Sequence, residues 1–62
     1  MNNEIKVGDL VKRIVVDYKD NVPIGTIGIV VWIGSEHKRS AYSVFVQNEL
    51  CFWFVGYLTK FK

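Results

Sequence analysis

Hydrophobic and polar positions along the chain alternate in short blocks, and polar turns separate the blocks. The alternation has a period of two, which is typical of strands with one buried face. Val, Ile, Phe, Tyr, Trp and Thr dominate the apolar positions, and these residues favour strands. The pattern predicts strands over residues 10–16, 26–33, 41–46, 50–55 and 59–62. We therefore expect a single all-β domain over residues 1–62, with no helix longer than one turn.

The register of the hairpin between the third and fourth strands depends on its turn. Two turns are compatible with the sequence, a two-residue turn at positions 48–49 and a three-residue turn at positions 47–49. The three-residue turn is favoured because it pairs Val44 with Phe52 across an apolar face. It also gives Asn48 the left-handed conformation that Asn tolerates.

This register assigns the side chains to two faces. The face expected to form the core comprises Ile27, Ile29, Val31, Ile33, Tyr42, Val44, Val46, Leu50, Phe52 and Phe54. The opposite face is expected to carry a contiguous apolar patch of Val30, Trp32, Phe45, Cys51 and Trp53. In the first strand, a bulge near Lys12-Arg13 would let both Val11 and Ile14 face inward.

A contiguous apolar patch on a small domain indicates an interaction site. Trp is also enriched among the residues that dominate interface energies. The alternative interpretation is that a terminal segment or a long loop folds over the patch. The chain has 62 residues and little length to spare for such a cover, so the interaction surface is favoured.

Composition narrows the classes of function. Half of the residues are hydrophobic and 15% are aromatic, while eight Lys and Arg against six Asp and Glu give a net charge of +2. Charge so nearly balanced permits nucleic-acid binding without favouring it. The lone Cys51 excludes an internal disulfide, and with His37 it falls short of the four ligands of a structural zinc site. We therefore predict no metal and no cofactor.

No pattern of a secreted or membrane-spanning protein occurs in the sequence. The longest apolar run, residues 27–33, is far shorter than a membrane span, and residues 1–4 lack the features of a signal peptide. A lone cysteine without an export signal is typical of the cytoplasm. We expect a cytoplasmic protein that does not bind membranes.

Three short segments could be mistaken for catalytic groups. Glu36-His37 could form an acid–base pair, but no nucleophile accompanies it, and a solvated turn is favoured. Cys51 could be a reactive thiol, but its apolar neighbours raise a thiol pKa, which favours a structural role. The segment 25–28 lacks the Lys-Ser/Thr of a phosphate loop and reads as a turn. We predict no enzymatic activity and no small-molecule substrate.

Lys38-Arg39 followed by Tyr42 is the best local signal for nucleic-acid binding. A basic turn beside an aromatic ring could hold phosphate and stack a base. Further cations could extend it if they share a face, namely Lys12, Arg13, Lys19, Lys60 and Lys62. Acidic residues are interleaved with these cations, and a solvated turn is the alternative.

Two segments resemble known small β domains. Residues 7–11, a loop and residues 25–31 resemble the opening of SH3-like barrels, and Gly25, Gly28 and Val30 match the Gly-x-x-Gly-x-Val stretch of the KOW group. The remaining pattern resembles small SH3-like proteins common in bacteriophage genomes, at positions Val44, Val46, Phe52 and Leu58. The resemblance implies an SH3-like, five-stranded, partly open barrel. It also implies that Val30 lies in the core, where the register above places it outside.

A binding module is the function that these observations predict. The leading hypothesis is a protein-interaction domain that associates with itself or with a cellular protein through the Trp32, Phe45 and Trp53 face. If the chain is phage-encoded, that partner would be a host protein. The alternative is a KOW-like nucleic-acid-binding domain that uses Lys38, Arg39 and nearby aromatic residues.

Overall fold

The computed structural model describes residues 4–36 and 38–61, which form one antiparallel sheet. Its strands are β1 (Leu10–Arg13), β2 (Ile27–Glu36), β3 (Arg39–Val46), β4 (Glu49–Phe54) and β5 (Leu58–Lys60). Their order across the sheet is β4-β3-β2-β1-β5. These residues contain no helix, so the prediction of an all-β chain is confirmed. The first strand ends three residues earlier than predicted.

The long strand β2 joins the two halves of the sheet. Its first residues pair with β1, Ile27 opposite Lys12 and Ile29 opposite Leu10. From Ile29 onward it pairs with β3, and a bulge at Val31 interrupts that ladder. Such a bulge bends a strand and increases its twist. β2 therefore turns the sheet around a core on one of its faces, and the sheet remains open because β4 and β5 are both edge strands.

The core lies on the inner face of this bent sheet. Its buried members come from all five strands: Val11, Val30, Tyr42, Val44, Val46, Trp53 and Leu58. Ile5, Val22 and Tyr57 pack against them from the connecting segments. Gly28 also lies on the inner face, and the side chains of Val44 and Val46 fill the space that a Cβ there would need. The second glycine of the Gly-x-x-Gly-x-Val stretch is therefore required by packing.

The turn between β3 and β4 differs from both turns considered in the sequence. Gln47 and Asn48 form a two-residue turn with φ of 48° and 68°, and Val46 pairs with Glu49. Positive φ at both central residues defines the turn whose twist matches an antiparallel hairpin. The predicted three-residue turn is wrong because Gln47, a residue that seldom adopts positive φ, does so here.

This shift of one residue reverses the two faces of β4. Trp53 is fully buried and Cys51 is half-buried against the core. Leu50 and Phe52 are exposed on the outer face, with Phe54 half-buried beside them. The prediction that Leu50, Phe52 and Phe54 form the core is therefore wrong. The register gains the burial of the larger Trp53 side chain, which removes more apolar surface from water than Phe52 would.

The prediction for β2 is also wrong for Ile27, Ile29 and Val30, whereas beyond the bulge Ile33 lies opposite Tyr42, on the inner face as expected. Val30 is fully buried opposite Val44, as the Gly-x-x-Gly-x-Val resemblance implies. The residues expected inside are each between 38% and 46% exposed, namely Ile27, Ile29, Val31 and Ile33. Gly28 and Val30 occupy the inner face in this strand, so alternation sends Ile27 and Ile29 outward.

The first strand carries no bulge, and its inward position holds a charged residue. Val11 and Arg13 are both fully buried, whereas Ile14 is 42% exposed. The ladders of β1 with both neighbouring strands run without a shift of register. Regular alternation therefore places Arg13, and not Ile14, beneath the sheet.

Candidate interaction surface

A row of apolar side chains crosses the outer face of the sheet from one edge to the other. Leu10 on β1 pairs with Ile29 on β2, Ile29 pairs with Phe45 on β3, and Phe45 pairs with Leu50 on β4. Beyond β1, the amide of Phe61 donates to the carbonyl of Leu10 at 2.8 Å and extends the row. Directly opposed residues share a face, and all five are at least 38% exposed. We call these five residues the apolar row.

An aromatic cluster adjoins the apolar row at the β4 side. The ring centroids of Trp32 and Phe52 lie 6.5 Å apart, and those of Phe52 and Phe54 lie 5.4 Å apart with an edge-on geometry. The guanidinium of Arg39 lies 5.0 Å from the centre of the Phe54 ring. Trp32 covers Gly34, whose missing side chain leaves room for the indole. The bulge at Val31 is what brings Trp32 onto this face.

The apolar row, Trp32 and Phe52 together form the outer face. If a fully exposed large apolar side chain presents about 200 Å², these seven residues at 38–65% exposure expose roughly 600 Å². The largest apolar patch on a typical monomeric protein measures about 300–600 Å², and patches of that size are often functional. The outer face therefore stands out on a domain of this size.

The predicted patch is only partly assembled on this face. Trp32 and Phe45 lie there as expected, at 48% and 43% exposure. Val30 and Trp53 are fully buried in the core, and Cys51 is half-buried on the inner face. The register of the β3–β4 turn explains the inward places of Cys51 and Trp53, and alternation with the inward Gly28 explains that of Val30. A contiguous apolar patch nevertheless exists, and three of its members, Ile29, Leu50 and Phe52, are residues that the sequence reasoning had placed inside.

The basic segment does not assemble with its aromatic partner. Arg39 and Tyr42 are an odd number of positions apart on β3, so their side chains lie on opposite faces. Tyr42 is buried in the core, where no base can stack on it. Lys38 is exposed at the preceding turn with φ of 63°. The local signal for nucleic-acid binding therefore loses its stacking residue.

A buried arginine, which the sequence reasoning missed, fastens the loop between β1 and β2. The guanidinium of Arg13 lies between two rings, 5.1 Å from the centre of Trp53 and 4.9 Å from that of Tyr57. Arg13 donates through Nε to the carbonyl of Val15 at 2.8 Å, and through Nη1 and Nη2 to the two carboxylate oxygens of Asp20 at 3.0 and 3.3 Å. A planar fork of donors suits this bidentate contact. Strand parity could have predicted the burial of Arg13, because Arg13 lies two positions after the buried Val11 on the same strand.

Asp17 and Tyr57, which lie in the same region, shift each other's pKa. The backbone amide of Lys19 holds the pKa of Asp17 below its ordinary value, and the hydroxyl of Tyr57 also donates to this carboxylate. The same hydrogen bond to Asp17 raises the pKa of Tyr57. Tyr57 therefore contacts Arg13 with its ring and Asp17 with its hydroxyl, and it ties β5 to the loop.

A cleft of about 360 Å³ lies between that loop and the β3–β4 turn. Asp20, Pro23, Glu49 and Cys51 are among the residues that line it. Burial raises the pKa of the Cys51 thiol, and the Glu49 and Asp20 carboxylates raise it further. Cys51 is therefore a protonated thiol at neutral pH, which agrees with the structural role expected from its apolar neighbours.

Other candidate chemistry finds no support among the described residues. No cluster of three or more His, Cys, Asp or Glu side chains suited to a metal ion occurs in them. His37 and the side chain of Glu36 lie outside the described residues, so the expectation that they form a solvated turn rather than an acid–base pair stays a prediction. Within residues 4–36 and 38–61, no helix is long and apolar enough to cross a membrane.

Comparison of the chain with protein-family models, curated proteins and solved structures finds no match.

Proposed function

We propose that the chain is a non-enzymatic protein-interaction module and that its outer face is the contact surface. The observation that carries the proposal is the apolar row, which crosses β1, β2, β3 and β4 on the side away from the core and continues to Phe61 beyond β5. The occupant is a second copy of the chain or a cellular protein. A host protein takes that place if the chain is encoded by a bacteriophage.

The energetics support an interface of moderate affinity. Covering roughly 600 Å² of apolar surface at about 25 cal/mol/Å² stabilises a complex by on the order of 15 kcal/mol. Association costs about 4–15 kcal/mol in lost freedom of motion and ordering of side chains. The difference lies between about 0 and about 11 kcal/mol in favour of binding, and this span includes the range of reversible, concentration-dependent association.

We also propose that the sheet is an SH3-like, partly open barrel. Its strand order, with a long bulged β2 shared by both halves, supports this assignment. So does the packing at Gly28 and Val30, the positions that carry the resemblance to the KOW group. The fold by itself leaves the function open, because one fold hosts many functions. The proposed function therefore rests on the outer face.

The nucleic-acid alternative has no observation that favours it. Tyr42 is buried, and Arg39 is engaged with the Phe54 ring. Lys60 Nζ lies 3.6 Å from Asp9, so part of its charge is neutralised. We therefore rank this alternative below the interaction module.

Sedimentation velocity of three proteins tests the proposed function. They are the wild type, the double variant Trp32→Ser with Phe45→Ser, and the control Val16→Ser, which alters a loop residue of similar exposure (47%). We expect the wild type and the control to associate as concentration rises. The double variant should associate at least tenfold more weakly while its melting temperature changes by only a few degrees.

Two results would contradict the proposal. Equal association of all three proteins would show that the outer face is not the contact surface. Loss of cooperative unfolding in the double variant would show that Trp32 and Phe45 belong to the core. A wild type that stays monomeric up to millimolar concentration would remove self-association and leave a cellular protein as the occupant.

A further inference from the structure

The two edges of the sheet differ in how they are protected from strand addition. β5 has three residues and ends on Lys60, and short charged edges resist pairing with another chain. β4 has six residues, and its segment 50–54 contains no charge, proline or glycine. β4 is thus an unprotected edge strand of the kind that templates the addition of another strand.

The hydrogen bonds between β3 and β4 show which backbone groups of β4 face this open edge. The amide of Val55 donates to the carbonyl of Ser40 at 2.9 Å, in the same register that pairs Val44 with Cys51. Hydrogen-bonded pairs alternate along an antiparallel ladder. Odd-numbered residues of β4 therefore bond to β3, and Leu50, Phe52 and Phe54 direct their N–H and C=O groups outward.

Only part of this outward set is free for a partner. The carbonyl of Phe54 accepts the amide of Tyr57 at 3.0 Å. The N–H and C=O groups of Leu50 and Phe52 make no hydrogen bond to any described residue. Leu50 is also the most exposed member of the apolar row, at 65%, because it has a cross-strand neighbour on one side alone.

We propose that β4 pairs antiparallel with β4 of a second copy of this chain, about a two-fold axis that passes at Cys51. The axis follows from the free groups. In this arrangement Leu50 of each copy pairs with Phe52 of the other. The pairing uses the free N–H and C=O groups of both residues in both copies and forms four hydrogen bonds. An axis at Phe52 would require the occupied carbonyl of Phe54, and an axis at Leu50 would require Asn48, which belongs to the turn.

Side-chain chemistry agrees with this self-pairing. Leu50 and Phe52 lie opposite each other on the outer face, and aliphatic–aromatic cross-strand pairs stabilise sheets. Glu49 lies opposite Trp53, so no like charges meet along the strand. The inference rests on the proposed function, since it names the occupant and the part of the outer face where contact begins.

Oxidation of the native cysteine reports this register directly. In the proposed dimer the two Cys51 residues are directly opposed, with Cα atoms about 4.5 Å apart, and a disulfide requires about 4.4–6.8 Å. Diamide converts two thiols into a disulfide and is itself reduced to the hydrazine. The reaction is run at alkaline pH because the pKa of the thiol is raised, and the products are separated on a non-reducing gel.

Two variants separate this inference from the proposed function. Phe52→Pro removes the outward amide without removing a bond to β3, since Pro is tolerated where the N–H faces away from the ladder. Leu10→Lys alters the apolar row three strands away from β4. We expect the disulfide dimer to form in the wild type and in the loop control Val16→Ser, and to form at least tenfold more slowly in Phe52→Pro. In Leu10→Lys the dimer should be weaker, because the apolar row is part of the contact surface, but the disulfide should still form.

Hydrogen exchange of the wild type provides a readout that needs no variant to fold. The amides of Leu50 and Phe52 should exchange at least tenfold more slowly at millimolar than at micromolar concentration. The amide of Cys51, which bonds to Val44 within one chain, should show no such dependence.

Three results would overturn the inference. Association lost in Leu10→Lys and kept in Phe52→Pro, with no disulfide, would leave the outer face as the interface and exclude the β4 edge. A wild type that forms neither dimer nor disulfide at any concentration would exclude the second copy. Binding of an unrelated apolar peptide by such a monomer, without binding of a peptide of residues 49–54, would assign the edge to a foreign strand.

Discussion

At the residue scale, the buried Arg13 is the feature that defines the inner architecture of this small domain. It places a positive charge among apolar side chains, which is unfavourable unless the charge is paired and hydrogen-bonded. Two aromatic faces and the carboxylate of Asp20 meet that requirement. Because Asp20 belongs to the loop between β1 and β2, the same contacts hold that loop against the sheet.

Replacement of Arg13 by Lys should destabilise the fold although it preserves the charge. A lysine ammonium cannot reproduce the fork to Asp20 or lie flat between the rings of Trp53 and Tyr57. We expect a loss of about 2–4 kcal/mol in the free energy of unfolding, measured by urea denaturation. Lys12→Met on the outward side of β1 is the control and should change stability by less than about 0.5 kcal/mol. Equal effects of the two changes would contradict the burial of Arg13.

The Asp17 carboxylate should make stability depend on pH in a predictable direction. Its pKa is lowered from 3.8 in the folded protein, chiefly by the Lys19 amide, so the unfolded chain takes up the proton first as the pH falls. The contribution is therefore present above the unfolded value and is lost as the pH falls through the folded one. Asp17→Asn should flatten the stability profile between about pH 5 and pH 2.

The same variant tests the alkaline side of the profile. The pKa of Tyr57 is raised from 10.0 by the hydrogen bond to Asp17. Its contribution is present below the unfolded value and is lost as the pH rises through the folded one. Urea unfolding at a series of pH values measures both limbs, and a profile for Asp17→Asn that coincides with the wild type would contradict the hydrogen bond.

At the scale of single elements, the β3–β4 turn decides which face of β4 is buried. The strands themselves were predictable, because their period of two and their β-branched and aromatic residues are local properties. The register was not, because a shift of one residue leaves an apolar set on either face: Leu50 and Phe52, or Cys51 and Trp53. What decides between them is the tertiary fit of Trp53 against Arg13 and Val11, which strand periodicity does not encode.

Alanine substitutions at neighbouring positions of β4 test this register. Trp53→Ala removes a fully buried side chain and should cost about 3–5 kcal/mol, which approaches the entire stability of a domain this small. Phe52→Ala removes a side chain that is 47% exposed and should cost about 1 kcal/mol or less. Thermal unfolding followed by circular dichroism measures both. The reverse order of the two effects would restore the register expected from the sequence.

At the scale of the whole molecule, the sheet has two apolar faces and only one of them is covered. The sequence contains enough large apolar residues for both, and binary patterning alone does not tell which is the core. The existence of an exposed patch and the place of Phe45 in it could be predicted from strand parity, whereas Trp32 reaches this face because of the bulge at Val31. The row from Phe61 to Leu50 could not, because it depends on how four separate pairings align across the sheet.

The two tryptophans lie on opposite faces of the sheet, so their exposure to solvent shows which face is the core and which is the contact surface. In the wild type labelled with 5-fluorotryptophan, each residue gives a separate ¹⁹F resonance whose shift between H₂O and D₂O reports contact with solvent. At low concentration we predict a full solvent shift for Trp32 and none for Trp53. On association the Trp32 shift should diminish while Trp53 stays unchanged. Two shielded resonances in the dilute monomer, or a solvent shift at Trp53, would contradict this assignment of the two faces.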